Sequence, residues 1–456
     1  MENQSEIQST NQSTSQSANR SEAQTFKKSL TSVEALAIVV GMIIGSGIFL
    51  KPGIVLSNAG TPTMSILAWI AGGLITLAAA LSVAEIAAAI PKSGGLYTYL
   101  RELYGDVFGF LLGWVQTVIS YPASVAALAI AFVTYSNYFL PLEGIQSKLL
   151  AIVVLAFIML MNIIATKYGG VIQTVATVGK LIPIVAIVGF GLAADSMPGF
   201  AGISQGAVTA AGFGVAILGT LWAYDGWIGV TNMAGELKNP AKTLPRVITI
   251  GVSFVILVYV VFNLAIFNVL PYEVIVASEV PGADMAEVLF GSGFGGAFIT
   301  VGIMISVFGA LNGYLMTAAR VPQVMGERRE LPFSQTLGKI HPKFRTPANA
   351  LIFQSILAVI YIFSGTFNTL TDLLVFVLWI FFTMGVYGVF LLRKKMPHLT
   401  SGYKVPLYPF TPIIGIFGGL YILISTVITD PMRSIIGIGI TLLGLPVFYY
   451  MKSKRG

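Results

Sequence analysis

The chain has 456 residues, of which 55% are hydrophobic and 10% charged, and its net charge is +7. Soluble chains carry about 25% charged residues, so this composition excludes a disordered chain and argues against an ordinary soluble enzyme. There are no cysteines, which excludes disulfides, thiolate metal sites and cysteine nucleophiles. A mean hydropathy of +0.84 makes lipid the main solvent.

The first 26 residues are rich in Ser, Gln, Asn and Thr and lack the apolar core of a signal peptide. They read as a solvated cytoplasmic tail within 1–30. Twelve apolar runs of spanning length follow, at about 33–58, 63–90, 106–139, 149–166, 170–193, 211–235, 246–269, 296–319, 348–364, 370–392, 407–429 and 433–451. None alternates like a barrel strand, so the expected fold is an all-α integral membrane protein with twelve transmembrane helices. Thr31 and Glu34 have capping-box spacing at the start of the first run.

With the N-terminus inside, only Lys51, Lys148 and Arg433 fall outside, and Lys180 lies within a span. Every other Lys and Arg lies on the inner side. This bias predicts cytoplasmic termini in a plasma membrane. It also assigns the basic loops to anionic lipid, with no need for nucleic acid. The outer segment 270–295 carries Glu273, Glu279, Asp284 and Glu287 and no basic residue.

Two spans are interrupted. The first holds Gly45-Ser46-Gly47 near its middle, and the sixth holds Ala223-Tyr224-Asp225-Gly226-Trp227. Five helices followed by five more have opposite orientations, because five is odd. Breaks in spans 1 and 6 therefore suggest a 5+5 inverted repeat with a midplane substrate site. The expected units are 31–195, 205–395 and a terminal pair of helices at 405–456.

A helix broken at Gly45-Ser46-Gly47 frees N–H groups that suit a carboxylate. The bland alternative is close packing by the Gly41/Gly45 pair. Unwinding at Trp222–Trp227 frees carbonyls that suit an ammonium, so the two breaks together describe an α-amino acid. Trp222 is either a gate over the ligand or a core side chain. Asp225 either caps a half-helix or contacts substrate. Lys180 lies too deep to snorkel. It reads as a fixed charge replacing a coupling cation, as a proton carrier, or as a structural cation on backbone carbonyls. Glu85 reads as part of an inner gate or as a purely structural pair. His341 and His398 lie in separate basic stretches, so no metal site and no cofactor is expected.

Several motifs match one family in order and position. They are Gly41-Met-Ile-Ile-Gly-Ser-Gly-Ile-Phe49, Pro91-Lys-Ser-Gly-Gly-Leu-Tyr-Thr-Tyr99 and Thr166-Lys-Tyr-Gly-Gly170. Others are Gly179-Lys-Leu-Ile-Pro183, Ala223-Tyr-Asp-Gly-Trp227, Gly235-Glu-Leu-Lys-Asn-Pro240 and Pro245-Arg246. Over residues 30–452 the chain resembles the amino acid–polyamine–organocation superfamily. Within it, the likeness is to the bacterial serine/threonine and alanine/serine/cysteine exchangers of the L-type amino acid transporter branch.

The resemblance implies a LeuT-like fold, alternating access and sodium-independent exchange of small neutral L-amino acids. It implies substrate carboxylate at the N–H groups of Ser46 and Gly47, and α-amino group at carbonyls of Ile43, Trp222 and Asp225. It implies that Gly45 and Ala223 belong to the same site, and that Ser124 and Ile228 line the side-chain pocket. Lys180 matches the family lysine found where sodium sits in related coupled transporters. Animal members use an outer-loop cysteine to link a heavy subunit. The matching loop, Pro141 to Lys148, has none, so no disulfide-linked partner is expected. Proton-coupled uptake through Lys180 is the rival transport reading, and a non-transporting amino acid sensor is the rival of another class.

Overall fold

The computed structural model describes residues 30–164, 166–194, 198–201, 209–398 and 402–454; for 166–172, 201, 292 and 294 it describes the backbone alone. The polar tail, Leu30 excepted, lies outside the described residues, as do the side chains of the Thr166–Gly170 motif. In chain order the helices are α1 (Ser32–Ile43), α2 (Gly47–Leu50), α3 (Pro52–Ala59), α4 (Pro62–Ala89), α5 (Gly95–Tyr104), α6 (Asp106–Val115) and α7 (Tyr121–Ser136). Then come α8 (Ile145–Ile164), α9 (Thr166–Leu192), α10 (Pro198–Ala201), α11 (Ala210–Ala223), α12 (Gly229–Asn232), α13 (Pro240–Val269), α14 (Tyr272–Ala277) and α15 (Pro281–Phe290). The last group is α16 (Gly296–Ala318), α17 (Arg320–Glu327), α18 (Ser334–Leu337), α19 (Ala348–Ser364), α20 (Phe367–Lys395), α21 (Phe410–Thr429), α22 (Pro431–Leu442) and α23 (Gly444–Ser453).

Ten helical stretches are long and apolar enough to cross a membrane, and α11 and α19 are shorter apolar helices. The helix starts follow the sequence. Thr31 and Glu34 form the expected capping box, and Thr61, Thr209, Thr366 and Asp430 cap α4, α11, α20 and α22. Pro62, Pro240, Pro281 and Pro431 stand in first turns, where the missing N–H costs nothing. Between α6 and α7 the chain widens into a π turn, Gln116–Ser120, so the third apolar run is not one uniform helix.

Helices α1, α7 and α16 form the buried centre, whereas Val153, Phe157 and Leu160 on α8 and Ile435 on α22 are exposed. In lipid, apolar exposure is unpenalised, and helix association rests on close packing and hydrogen bonds. Helix α1 packs on α9, α13 and α16; α11 packs on α4, α20 and α21; α4 packs on α13. Helix α7 packs on α16, α19 and α20, and α16 packs on α8 and α9. Among the described residues the only β contact is one bridge, Leu30 to Leu237.

The sixth apolar run, expected over 211–235 with an interruption at Ala223–Trp227, has a short second half. Beyond its break only one helical turn remains, α12, followed by a 3-10 turn at Ala234–Glu236. Asn239-Pro240 then starts α13, because the residue before a proline avoids the helical region.

Candidate functional site

The two breaks face each other. Helix α1 ends at Ile43, and Ile44, Gly45 and Ser46 are non-helical before α2. Phe49 and Leu50 N–H groups both donate to Ser46 O, at 3.1 and 3.0 Å, so the N–H groups ahead of them open onto the break. In the partner segment Asp225 N–H donates to Trp222 O at 3.1 Å, and Gly229 N–H donates to Gly226 O at 3.0 Å. Gly226 has φ +105°, a left-handed value that only glycine adopts cheaply. The approach is close: a Cβ on Gly47 would lie 2.5 Å from Ala223 Cα, and one on Gly226 would lie 2.9 Å from Met42 Cβ.

Tyr259 on α13 fastens the two breaks together. Its hydroxyl lies 2.7 Å from Ile43 O and 2.9 Å from Ala223 O. Ile43 O also accepts the Gly45 N–H at 2.9 Å, so both of its lone pairs are engaged. Tyr259 is itself held edge-on by Trp69, 5.6 Å between ring centroids.

Lys180 reaches the first break from α9. It is fully buried. Its ammonium donates to Gly41 O at 2.8 Å, to Ile44 O and to Ser306 O at 3.4 Å. Ser306 on α16 adds its own hydroxyl to Ile44 O at 3.3 Å. The carbonyls freed by the α1 break thus converge on one cation. Gly41 is also a packing glycine, since a Cβ there would meet Gln173 Nε2 at 2.2 Å. Packing and ligand-directed readings of the glycine pair therefore coexist at neighbouring residues.

Asp225 accepts the Tyr314 hydroxyl at 2.7 Å and also bonds the Gly226 N–H. It is a member of a polar network rather than a cap of α12, whose first turn has no side-chain cap. Asp225 and Tyr314 border a small cavity of about 10 Å³ together with Met42, Ser120, Tyr121 and Ile228. Ser46 Oγ, Ser124 Oγ and Trp222 Nε1 are buried without a protein hydrogen-bond partner. Such groups cost about 1–3 kcal/mol each unless something pairs with them.

The structure therefore gathers Ile43, Gly45, Ser46, Gly47, Trp222, Ala223, Asp225 and Lys180 around the two breaks. Ser124 lies on α7, one turn beyond Ser120–Tyr121. Glu85 stands apart. It receives two bonds of 2.9 Å from the Arg393 guanidinium and one of 2.6 Å from Val405 N–H, tying α4 to the end of α20. Tyr259, Tyr314 and Ser306 were not singled out by the sequence; single polar residues inside apolar runs were their only signal. Among the described residues no cluster of His, Cys, Asp and Glu could hold a metal ion.

Beyond the breaks, toward α14 and the start of α20, lies an open vestibule of about 610 Å³. Leu50, Ile54, Thr134, Lys148, Glu279 and Phe367 line it.

The profile of the amino acid permease family matches residues 30–440. The serine/threonine exchanger SteT of Bacillus subtilis is 44% identical over 436 residues, covering 95% of this chain and 99% of that one. The mouse b(0,+)-type amino acid transporter 1 is 32% identical over 94% of this chain and 88% of its own. The human cystine/glutamate transporter is also 32% identical, over 94% and 86%. With helices of this length and apolarity, the chain is a multi-pass membrane protein. It belongs to the amino acid permease family of the amino acid–polyamine–organocation superfamily, whose matching members are transporters and not enzymes.

Proposed function

We propose that the protein is an antiporter that exchanges small neutral L-amino acids, such as serine, threonine and alanine, across the plasma membrane by alternating access. The observation that carries this reading is the pair of facing helix breaks joined by Tyr259, with Ser46 Oγ and Trp222 Nε1 buried beside them without partners. The 44% identity to a serine/threonine exchanger supports the substrate class. The N–H groups of Ser46 and Gly47 bind the carboxylate, and the Trp222 and Asp225 region receives the ammonium. Ile228 and Ser124 shape the space for a short side chain.

Twelve spans follow if α11 with α12 and α19 cross the membrane beside the ten longer helices. The 5+5 inverted repeat is supported by helix pairing. Renumbering each span by five exchanges the α1–α13 contact with α11–α4, α1–α9 with α11–α20, and α9–α16 with α20–α7. The basic inner loops support cytoplasmic termini. With no cysteine in the chain, a partner subunit cannot be disulfide-linked.

Sodium independence is supported by Lys180, whose ammonium occupies the carbonyls of the first break. The empty site leaves polar groups unpaired at midplane, and crossing in that state costs a few kcal/mol. The loaded carrier therefore crosses faster, which is exchange. Labelled L-serine uptake into liposomes, without sodium or proton gradients, tests this. Uptake only into vesicles preloaded with serine is the expected result. Equal uptake into empty vesicles under an imposed proton gradient overturns exchange and makes Lys180, buried among neutral carbonyls, the proton carrier.

A further inference from the structure

We infer that Phe367 is the outer gate of the substrate site and that Lys51 is the latch that positions it; this rests on the site and orientation proposed above. Phe367, the first residue of α20, lines the open vestibule on one side. On the other side its ring meets the Trp222 ring edge-to-face, at 5.8 Å and 85°. The Phe367–Trp222 pair thus separates the vestibule from the two helix breaks.

Lys51 holds this partition in place. It counts as an outer-side cation by sequence, yet it is fully buried. It stands in the joint between α2 and α3, so it moves with the second half of the broken span. Its ammonium donates to Asn368 Oδ1 at 3.0 Å, Thr371 Oγ1 at 2.9 Å and Asp372 Oδ1 at 3.2 Å, all in the first turns of α20. It also lies 5.4 Å from the centroid of the Phe367 ring. One cation therefore binds three polar groups and the face of the gating ring. Separation of α20 from α2 breaks all of these together, which makes the gate two-state rather than gradual. Asp372 keeps a second cation, Arg433 at 3.4 Å, so removing the lysine charge leaves that carboxylate paired.

The natural absence of cysteine supplies the test. Ser124→Cys places one thiol at the site, and a membrane-impermeant methanethiosulfonate applied from outside measures access. Protection of this thiol by saturating L-serine checks the site itself. Failure of protection would count against the site and leave the gate measurement readable. Added to this background, Lys51→Met is expected to raise outside labelling roughly tenfold, the size of one lost charge-assisted hydrogen bond. Phe367→Ala, which removes the ring between vestibule and site, is expected to raise it as well. Lys51→Arg is expected to keep the parental rate, and labelling from the inner face should not change in any variant. The proposal is overturned if Lys51→Met labels at the parental rate, or if labelling rises equally from both faces, which marks general loosening.

Discussion

Substitution of Tyr259 by Phe removes one oxygen from the joint between the two helix breaks. The hydroxyl has one proton, shared between Ile43 O at 2.7 Å and Ala223 O at 2.9 Å. Ile43 O retains the Gly45 N–H at 2.9 Å, so its loss is small. Ala223 O lies in the last turn of α11, where no further helical N–H follows, and Tyr259 supplies the missing donor. Leaving that buried carbonyl unpaired costs about 1–3 kcal/mol, or roughly 5- to 150-fold in an equilibrium. The ring stays, so its packing on Trp69 and Tyr224 is kept and the fold is expected to survive. The cost falls on site geometry. In serine-loaded proteoliposomes the half-saturating concentration for L-serine exchange should rise about tenfold. Tyr224→Phe is the matched comparison, because its equally buried hydroxyl donates to Trp69 O at 3.0 Å, away from the breaks. Equal shifts in the two variants, or no shift in Tyr259→Phe while the protein stays monodisperse, would refute the assignment of Tyr259 as the fastener of the site.

Lys180→Ala withdraws the donor from Gly41, Ile44 and Ser306 carbonyls, and exchange at saturating serine should fall about a hundredfold or more. Near-normal exchange with unchanged apparent affinity would show that the lysine is only a structural cation. Gly47→Ala places a methyl 2.5 Å from Ala223 Cα and 2.7 Å from its Cβ, atoms that have no side-chain torsion with which to move away. Serine binding, read by ligand-induced thermal stabilisation, should disappear while the unliganded protein still unfolds cooperatively; retained stabilisation argues against the close crossing. Glu236→Gln breaks a buried ion pair whose Nε–Oε1 distance is 3.0 Å, leaving the Arg320 charge short of its partner. Destabilisation of about 3–5 kcal/mol is expected from detergent-solubilised unfolding. A loss below about 1 kcal/mol would place the pair in water rather than in the protein interior.

The breaks themselves were legible in the sequence because a lone glycine serves helix packing, whereas a Gly-Ser-Gly run and a mid-span carboxylate beside a glycine go beyond what packing requires. Gly45-Ser46-Gly47 and Tyr224-Asp225-Gly226 fall within or against the non-helical segments found in the structure. Lys180 was legible for the same reason, since a deep cation demands partners. Its actual partners were not, because they are backbone carbonyls and carry no residue-type signal. Tyr259 and Tyr314 stayed hidden because a tyrosine in an apolar run looks like any packed aromatic until its hydroxyl finds an acceptor far along the chain. Lys51 reads in sequence only as an outer-side cation; its burial and its partners on α20 carry no local sequence signal, because Asn368, Thr371 and Asp372 lie 317, 320 and 321 residues away. The sixth span looked longer than its helix, because hydropathy continues through the single turn of α12 and the 3-10 turn beyond.

The bridge between Leu30 and Leu237 ties together residues just before α1 and just after α12, at one end of both broken spans. Leu30 N–H donates to Glu236 O at 3.0 Å, just ahead of α1 and just behind α12. Neighbouring Glu236 is clamped to Arg320 at the head of α17. The two half-spans α1 and α12 are thus one mechanical lever, pinned at its tip. Any swing that opens this end of the protein must carry both halves together or first unpin them. Tyr259 bonds Ile43 O at the end of α1 and Ala223 O at the end of α11, so it ties α1 to the other half of the sixth span. A swing of α1 with α12 as one unit keeps the Leu30–Glu236 pin and strains the Tyr259 joint.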